Sequence, residues 1–425
     1  MINANMDQIE RGHIMDPLLR AHANSVIEAS IQAVQPDEAV YRALEGATFD
    51  GRIVLVAAGK AAWQMAKAAS LHLGDRIDNG IVITKYAHVL HPLDHLLCWE
   101  AGHPVPDENS FAGTQKAIEL VKDLKETDTV LFLLSGGGSA LFEKPLVPAQ
   151  RLQEITKQLL SCGADIVEMN TVRKRLSSVK GGRFAELCKP AKIFSVVLSD
   201  ILGDPLDMIA SGPACADSST SQQAVAIAEK YRLALTEQEL ILLAQETPKR
   251  LDNVATRITG SVRQLCAAAE ARCRELGYET FVLTDQLSCQ AKEAGSFLAA
   301  ILKTHAADGK KLAFIAGGET VVQLTGKGKG GRNQELALSA AAGIAGIKGA
   351  AVFSVGSDGT DGPTDAAGGY VDHTTAQILT EQGIDIYEVL RDNDAYHALA
   401  RCDGLIMTGP TGTNVNDVAV ALLNG

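Results

Sequence analysis

Apolar strands alternate with helices along most of this sequence, and that alternation constrains the fold more than any other feature. Residues 52–58, 129–134 and 193–198 are apolar runs of the length of a buried strand, and helical periodicity separates them. A second alternating series of helices and strands covers residues 261–355. Alternation of this kind predicts the α/β class, in which a parallel sheet carries helices on both faces.

The length of the chain predicts two domains. With 425 residues, the sequence is longer than one typical domain, and 46% hydrophobic residues suit large buried cores. Residues 215–258 are predicted to form polar helices that bridge the two series. We therefore predict a Rossmann-like N-terminal domain over residues 1–255 and a C-terminal α/β domain over residues 256–425. The sequence leaves open whether the last apolar segment, VAVALL, returns to the first domain.

Composition excludes several classes of partner. The formal net charge of −12 disfavours nucleic acid or an anionic membrane as the main partner, although a local basic site remains compatible with it. The N-terminus lacks an apolar signal region, and no run approaches the ~18 apolar residues of a spanning helix. Eight cysteines without CxxC spacing predict reduced, mostly buried thiols. We expect a cytoplasmic protein, and a homo-oligomer stays open.

Polar, glycine-rich loops follow six of the apolar strands. In doubly wound folds such loops converge at the carboxyl ends of the strands, where ligands bind. Together they favour a phosphate or nucleotide site over ordinary structural turns. The predicted nucleotide contacts are Ser135, Gly136, Gly137, Gly138, Ser139, Glu319, Gly328, Gly330 and Asn414.

The loop at 325–331 combines four glycines with two lysines, and Arg332 follows it at the start of a predicted helix. Glycine lets backbone N–H groups approach an anion, and a helix N-terminus adds unpaired N–H groups. An anion-binding loop and a mobile, solvated hairpin loop are equally compatible with this segment alone. An extended run is predicted just before it, at 320–324. The glycines fit GxGxxG, but the loop does not directly follow the first strand of a βαβ unit, so a dinucleotide site is disfavoured.

Two cations stand where helices begin, and several carboxylates follow strands. Lys60 and Arg332 both stand at the start of a predicted helix. A cation there opposes the helix dipole, so helix stability does not explain either residue. Lys60 is followed by Ala61, so Gly59-Lys60 is not a Walker A motif. Asp200 and Asp358 are the leading candidates for a general base or a Mg²⁺ contact, and ordinary turn residues are the alternative.

Two further polar segments have less certain roles. The histidines between residues 88 and 103 lack a convincing metal-ligand spacing, which favours loop histidines over a metal site. The strongly basic segment 170–183 is compatible with a substrate cleft or with a solvated face.

Several long motifs resemble, in order and over nearly the whole chain, the MOFRL-type glycerate 2-kinases, some of which are labelled hydroxypyruvate reductases. Arg175 and Phe184 depart from the pattern, where His and Leu are expected. The motifs are GKAAWQMAKAA, AGHPVPDENS, LSGGGSAL, NTVRKRLSSVKGGRFA, SDILGDPLDMIASGP, GGETVVQLTGKGKGGRNQEL, GSDGTDGPTDAAGGYVD and TGPTGTNVND.

The resemblance implies two α/β domains, the second MOFRL-like, with the active site in a cleft between them. It implies ATP-dependent phosphorylation of D-glycerate to 2-phosphoglycerate, and its cleft lysine and arginine match Lys60 and Arg332. We expect in-line transfer, with both cations stabilising the transferring group, Asp200 as a catalytic residue and Asp358 at Mg²⁺. Alanine at either cation should lower turnover by orders of magnitude while leaving the fold intact.

Two alternatives belong to other classes of protein. An NAD(P)H-dependent hydroxypyruvate reductase would need a nicotinamide site, for which the sequence offers only the misplaced GxGxxG. A non-catalytic protein that binds a sugar acid would explain two domains around a cleft, but not the pairing of acidic and glycine-rich loops.

Overall fold

The computed structural model describes residues 15–425, which divide into two compact units. The central unit comprises residues 36–259, and the terminal unit comprises residues 15–35 together with 260–425. The α/β class that the alternation predicts is confirmed in both units. Within the described residues, no helix is long and apolar enough to cross a membrane.

The strands of the described residues form two six-stranded sheets, one in each unit. In chain order these strands are β1 (Ile53–Ala58), β2 (Ile77–Lys85), β3 (Leu96–Ala101), β4 (Thr129–Leu134), β5 (Lys192–Leu198), β6 (Val254–Gly260), β7 (Glu279–Leu287), β8 (Lys311–Gly318), β9 (Ala350–Gly356), β10 (Gly368–Asp372), β11 (Leu405–Ile406) and β12 (Asp417–Asn424).

The α-helices of residues 15–425 pack on these sheets and on one another. In chain order they are α1 (Pro17–Ala33), α2 (Pro36–Leu44), α3 (Ala62–Leu73), α4 (Glu108–Val121), α5 (Gly138–Leu141), α6 (Ala149–Ser161), α7 (Ile166–Arg175), α8 (Arg183–Leu187), α9 (Ser221–Lys230), α10 (Glu237–Ala244), α11 (Val262–Glu275), α12 (Ala291–His305), α13 (Arg332–Ile344), α14 (Thr375–Glu381), α15 (Ile386–Asp392) and α16 (Ala395–Ala400).

The central sheet has the order β3-β2-β1-β4-β5-β6, which is the strand order of a Rossmann fold. The β1–β2, β1–β4, β2–β3 and β4–β5 pairs are parallel. Strands β1 and β4 are fully buried, as their continuous apolar sequences predict. The strand order reverses between β1 and β4, and ligands bind at such switch points in open α/β sheets.

The terminal sheet is mixed, with the order β11-β10-β9-β12-β8-β7. Only β7 and β8 are parallel among its pairs in the described residues, and the other neighbours run antiparallel. The sheet of this unit is therefore mixed, within the α/β class that was predicted for it. Strand β12, the VAVALL segment, lies between β8 and β9 and runs antiparallel to both. The C-terminal segment thus stays in the second sheet.

The first described helix differs from the predicted domain boundary. Residues 15–35 group with the C-terminal half of the chain, not with residues 36–255, and the division falls at 259/260. Helix α1 packs on α11, where the Arg272 Nε atom donates a hydrogen bond to Ser25 Oγ at 2.7 Å. The Arg20 guanidinium also donates to the carbonyls of Asp403 and Leu405. Adjacency in sequence therefore does not determine where this helix packs.

The structure also tests two other local expectations, on residues 320–324 and on the cysteines. Residues 320–324 form no strand, and only Val321 takes part in an isolated bridge, to Gln290. The eight cysteines, all within the described residues, are free thiols as predicted. Four of them are buried, while Cys162 and Cys289 are exposed, so the thiols are less uniformly buried than expected.

Candidate active site

The loops after β1 and β4 are joined by hydrogen bonds at the switch point of the central sheet. The backbone N–H of Lys60 donates to the Gly136 carbonyl at 2.9 Å. The N–H of Ala61 donates to Ser135 Oγ at 3.1 Å, and the Ser135 N–H donates to the Ala58 carbonyl. Because both loops leave adjacent parallel strands at the same edge, their backbones hold Lys60 beside the Ser135–Ser139 loop.

Glycine is required in this loop because other side chains lie against it. A Cβ atom on Gly136 would stand 2.2 Å from Asp200 Oδ2. Gly137 has a φ of 87°, and a Cβ there would stand 3.1 Å from both His103 Nε2 and Lys60 Cγ. The predicted residues Lys60 and Asp200 therefore lie together at the predicted Ser135–Ser139 loop.

Sequence reasoning did not assign His103 to the site. His103 lies two residues after the end of β3. Its ring nevertheless lies against Gly137 of the Ser135–Ser139 loop, as the side chain of Lys60 does. Burial lowers the pKa of His103, and the positive charges of Lys60 and Lys85 lower it further. His103 could have been predicted from its position just after a strand, because Lys60 and Asp200 were predicted from the same kind of position.

The ammonium group of Lys60 has no carboxylate partner in the central unit. Within residues 36–259, the side chain of Lys60 forms no ion pair, and its carbonyl accepts a hydrogen bond from Thr84 Oγ1 at 3.3 Å. An unpaired cation at the end of a parallel strand, beside a glycine loop, is suited to a phosphate or carboxylate ligand.

Most of the basic segment 170–183 is buried, so it is not a solvated face, which was one of the two predicted alternatives. Lys174 is buried and its Nζ lies 2.9 Å from Asp217 Oδ1. Lys180 is also fully buried, and its Nζ donates to the Ser139 carbonyl at 2.8 Å and lies 3.5 Å from Glu143 Oε2. Burial lowers the pKa of Lys180 to about 8. This lysine supports the end of the Ser135–Ser139 loop from within the protein.

Arg175 is one of the departures from the resembled pattern, and it is fully buried in the same network. Its guanidinium donates to the Thr171 carbonyl at 2.8 Å and to Ser219 Oγ at 3.0 Å. These bonds give the arginine a packing role.

In the terminal unit, the guanidinium of Arg332 is held by two carboxylates. Its Nε and Nη2 atoms lie 2.6 and 3.1 Å from the two oxygens of Asp417, which is a bidentate pair. Its Nη1 atom lies 2.7 Å from Glu319 Oε1. Topology explains the cluster, because Glu319 follows β8 and Asp417 begins β12, paired in register with Gly318.

Asp361 and Asp358 lie on the loop after β9. Asp361 caps α13, since its carboxylate accepts from the N–H groups of Asn333 and Gln334 at 3.2 and 2.9 Å. Burial raises the pKa of Asp361 to about 6. Asp358 is half-buried, and its Oδ1 accepts from the Thr360 N–H at 3.0 Å in a turn.

Asn414 lies on the loop that precedes β12. Its side chain is exposed, and its Oδ1 accepts from the Asn416 N–H at 3.3 Å. The Thr411 N–H of the same loop donates to the Asp358 carbonyl at 3.3 Å. These contacts place the predicted residues Asn414 and Asp358 on neighbouring loops of the terminal unit.

The glycine loop at 325–331 is fixed to the segment 392–394. Asn393 Oδ1 accepts from the N–H groups of Thr325 and Gly326 at 2.8 and 2.9 Å. The N–H groups of the next three residues, 327–329, donate to the side chain of Asp392, the carbonyl of Asp392 and the side chain of Asp394. The expectation that these amides face an anion was therefore wrong.

The engaged amides include that of Gly328, one of the predicted nucleotide contacts. The Gly328 N–H donates to the Asp392 carbonyl at 2.8 Å. The Lys329 ammonium lies over the ring of Tyr396, 4.1 Å from its centroid. The loop is neither a mobile hairpin nor a cradle of free amides, because its backbone is bound on the side that faces α15 and α16.

Two family models match the chain. Residues 22–243 match the family described as Domain of unknown function (DUF4147), and residues 312–417 match the MOFRL family. The first match alone covers half of the chain.

Several named relatives match over almost the full length. A protein of Thermotoga maritima named D-glycerate 2-kinase is 52% identical, over 95% of this chain and 98% of its own. A glycerate 2-kinase of Pyrococcus horikoshii is 39% identical, over 94% and 96% of the two chains. A protein of Agrobacterium vitis named putative hydroxypyruvate reductase is 36% identical, over 99% of each chain.

A solved structure has the same fold. The crystal structure of glycerate kinase from Thermotoga maritima aligns with a TM-score of 0.93 and 51% sequence identity. The alignment covers 96% of this chain and 100% of the other.

Proposed function

We propose that this chain, which belongs to the family of glycerate 2-kinases built from DUF4147 and MOFRL domains, transfers the γ-phosphoryl group of ATP to the 2-hydroxyl of D-glycerate. The observation that carries the proposal is the pairing of Lys60 with the Ser135–Ser139 loop at the switch point of the central sheet. A free ammonium group beside a glycine loop suits phosphoryl transfer, because positioning and charge stabilisation supply most of its catalysis.

In the central unit, the Ser135–Ser139 loop contacts the phosphates and Lys60 stabilises charge on the transferring group. The loop is suited to this because Gly136 and Gly137 keep its surface open between Asp200 and His103. Asp200 serves as a catalytic carboxylate at the same loop and accepts the proton of the attacking hydroxyl. The hydroxyl oxygen forms the new bond to phosphorus as the bond to the ADP oxygen breaks.

In the terminal unit, Arg332 adds a second positive group, oriented by Asp417 and Glu319. Each of its three nitrogens makes one of these bonds, and a guanidinium has five N–H groups, so two N–H groups remain for a phosphate oxygen. Gly330 and Asn414 are further nucleotide contacts in this proposal. Gly328 cannot donate its amide N–H to the nucleotide, because that N–H is already bonded to the Asp392 carbonyl, so it can only pack against the nucleotide.

The carboxylates of the terminal unit fit a Mg²⁺ ion that is held mainly by ATP. Among residues 15–425, no three His, Cys, Asp or Glu side chains form a metal-binding group. Mg²⁺ in kinases is usually bound by one or two carboxylates together with substrate phosphates, so a complete protein cage is not needed. We assign Asp358 to this ion, which would neutralise charge on the phosphates.

The free thiols suit a cytoplasmic location.

The test is a coupled assay for ADP with D-glycerate, ATP and Mg²⁺, followed by phosphorus NMR of the product. The proposal expects ADP formation that depends on D-glycerate and a phosphorus resonance of the 2-phosphate ester. Oxidation of NADH with hydroxypyruvate and without ADP formation would contradict it and support the reductase. The absence of both activities would favour a binding protein.

A further inference from the structure

Three basic side chains lie at the ends of three neighbouring parallel strands in the central unit. Ala58 of β1 pairs in register with Ile83 of β2. Lys60 lies two residues after Ala58, and Lys85 lies two residues after Ile83. Lys85 pairs with Ala101, and His103 lies two residues after Ala101. The chain thus places Lys60 and Lys85 at a similar level, and His103 two residues farther along, at the carboxyl ends of β1, β2 and β3.

The carboxylates near these cations are engaged by other groups. Glu100 Oε1 accepts from the N–H groups of His88 and Val89, both at 3.0 Å. Asp107 Oδ1 accepts from the N–H groups of Gly102 and Ser110 at 3.0 and 2.9 Å. Neither carboxylate forms an ion pair with Lys85, whose ammonium has no such partner among residues 36–259.

The ring nitrogens of His103 are also available. Within residues 36–259, His103 makes no side-chain hydrogen bond, and its ring lies on the Gly137 surface beside Lys60. The charged groups that act on it are Lys60 and Lys85, and Asp200 lies against the neighbouring Gly136. Burial and the two lysines lower the pKa of His103, so near neutral pH the imidazole carries one N–H donor and one acceptor.

We propose that Lys85 and His103 bind the carboxylate of the acceptor substrate. The inference rests on the proposed function and names the subsite for the acceptor. Adjacent strands lie about 4.8 Å apart. In glycerate the 2-hydroxyl and the carboxylate are on adjacent carbons, so a substrate with its 2-hydroxyl at Lys60 has its carboxylate within reach of the end of β2. Lys60 and the glycine loop then remain available to the phosphates.

The test compares Lys85→Met, Lys85→Arg and His103→Gln with Lys122→Met, a control at an exposed lysine that follows α4. The KM values for D-glycerate and for ATP are measured separately, and binding of D-glycerate alone is followed by calorimetry. Loss of one charged hydrogen bond should raise the KM and Kd for D-glycerate on the order of 10- to 100-fold in Lys85→Met. The KM for ATP should change less than about twofold, and Lys85→Arg should retain most of the affinity.

The two measurements separate this inference from the proposed function. If no phosphorylation occurs but Lys85→Met still weakens D-glycerate binding, the subsite stands and the kinase assignment fails. If the kinase is active and the KM for D-glycerate is unchanged in both Lys85→Met and His103→Gln, the subsite is wrong. A rise in the KM for ATP instead would assign these side chains to the nucleotide and overturn the inference.

Discussion

Lys60 and Arg332 look alike in the sequence, since each begins a helix after a glycine, but their surroundings in the structure differ. Lys60 forms no ion pair within residues 36–259 and is held by its backbone. Arg332 binds Asp417 through two nitrogens and Glu319 through the third. One cation is available to an incoming anion, whereas most of the charge of the other is already balanced inside the protein.

The difference separates two ways of using a positive charge. An unpaired lysine can gain most of its interaction energy when a ligand binds. A paired arginine gains less, but its orientation is fixed before the ligand arrives. Asp417 is buried, and burial raises its pKa, although the Arg332 bond favours the charged form. Arg332 therefore contributes to the stability of the terminal unit as well as to the proposed chemistry.

The two glycine loops differ in the same way. The glycines of the Ser135–Ser139 loop make room for the side chains of Asp200 and His103. Gly326 and Gly328 of the 325–331 loop instead lie against the segment 392–394, since a Cβ on either would stand less than 3 Å from Asp392 or Asp394. The first pattern belongs to a functional surface, and the second to a packing contact.

The largest contrast should appear when each cation is replaced by methionine. Arg332→Met leaves the buried carboxylate of Asp417 without its partner, which should cost roughly 2 to 4 kcal/mol of unfolding free energy, allowing for the partial exposure of the guanidinium. Lys60→Met should change it by less than about 0.5 kcal/mol. Urea unfolding of both variants measures the difference, and this replaces the expectation that an Arg332 variant keeps an intact fold.

The double variant Arg332→Met/Asp417→Asn is the control for this pair. It removes the uncompensated charge and should recover part of the lost stability. Equal stability losses in the two single methionine variants would contradict the distinction between a paired and an unpaired cation.

Alanine in the two glycine loops should give the next largest effect. Gly136→Ala places a Cβ 2.2 Å from Asp200 Oδ2, so the carboxylate must move, and kcat/KM should fall about 10- to 100-fold. Gly330→Ala meets its nearest atom at 3.3 Å and lies outside the left-handed region, so its backbone contact with the nucleotide should persist and its kcat/KM should fall less than that of Gly136→Ala. Similar losses in both variants would show that the two loops are functionally equivalent.

Loss of Asn393 should free the 325–329 backbone. Asn393→Ala leaves the N–H groups of Thr325 and Gly326 without their acceptor, at a cost of roughly 1 to 2 kcal/mol. Asn393 has a φ of 56°, so Asn393→Gly keeps the backbone conformation and isolates the side-chain bonds. Hydrogen exchange of residues 325–329 should accelerate in both variants, and unchanged protection would show that the amides are held by other contacts.

Asp361 should give the smallest effect, seen in the pH dependence of stability. Its folded pKa, raised by burial to about 6, lies above the value near 3.9 of an unfolded aspartate. The folded state therefore holds the proton more tightly between about pH 4 and 6, and the contribution of Asp361 to stability falls as pH rises through that window. The free energy of unfolding of the protein relative to Asp361→Asn should fall on the order of 1 kcal/mol from pH 4 to 7. A rise would contradict the direction.

Much of the central unit could be predicted from the sequence because its signals are local. The apolar runs that became β1 and β4 are continuous, and each ends in a glycine-rich loop. Once parallel pairing is assumed, residues at the ends of neighbouring strands must converge. That is why Lys60, Asp200 and the Ser135–Ser139 loop were predicted together, and the same rule applied to β3 would have found His103.

What could not be predicted depends on partners that are distant in sequence. The pairing of Arg332 with Asp417 follows from the antiparallel register of β8 and β12, which periodicity alone does not reveal. The contact of 325–329 with 392–394 joins residues that lie 64 to 68 positions apart in the sequence. Likewise, the burial of Lys174 and Lys180 was not predicted, because their buried partners, Asp217 and Glu143, lie elsewhere in the chain.

The turnover of Lys60→Met is the most direct test of the central claim, that an unpaired lysine at the switch point of the central sheet stabilises the transferring phosphoryl group. Glycerate-dependent ADP formation should be measured at saturating ATP and D-glycerate, with unfolding of the same preparation as the control. We expect kcat to fall by about 10²- to 10³-fold while the unfolding free energy is unchanged. A kcat within about threefold of the unsubstituted enzyme, in an equally stable protein, would contradict it.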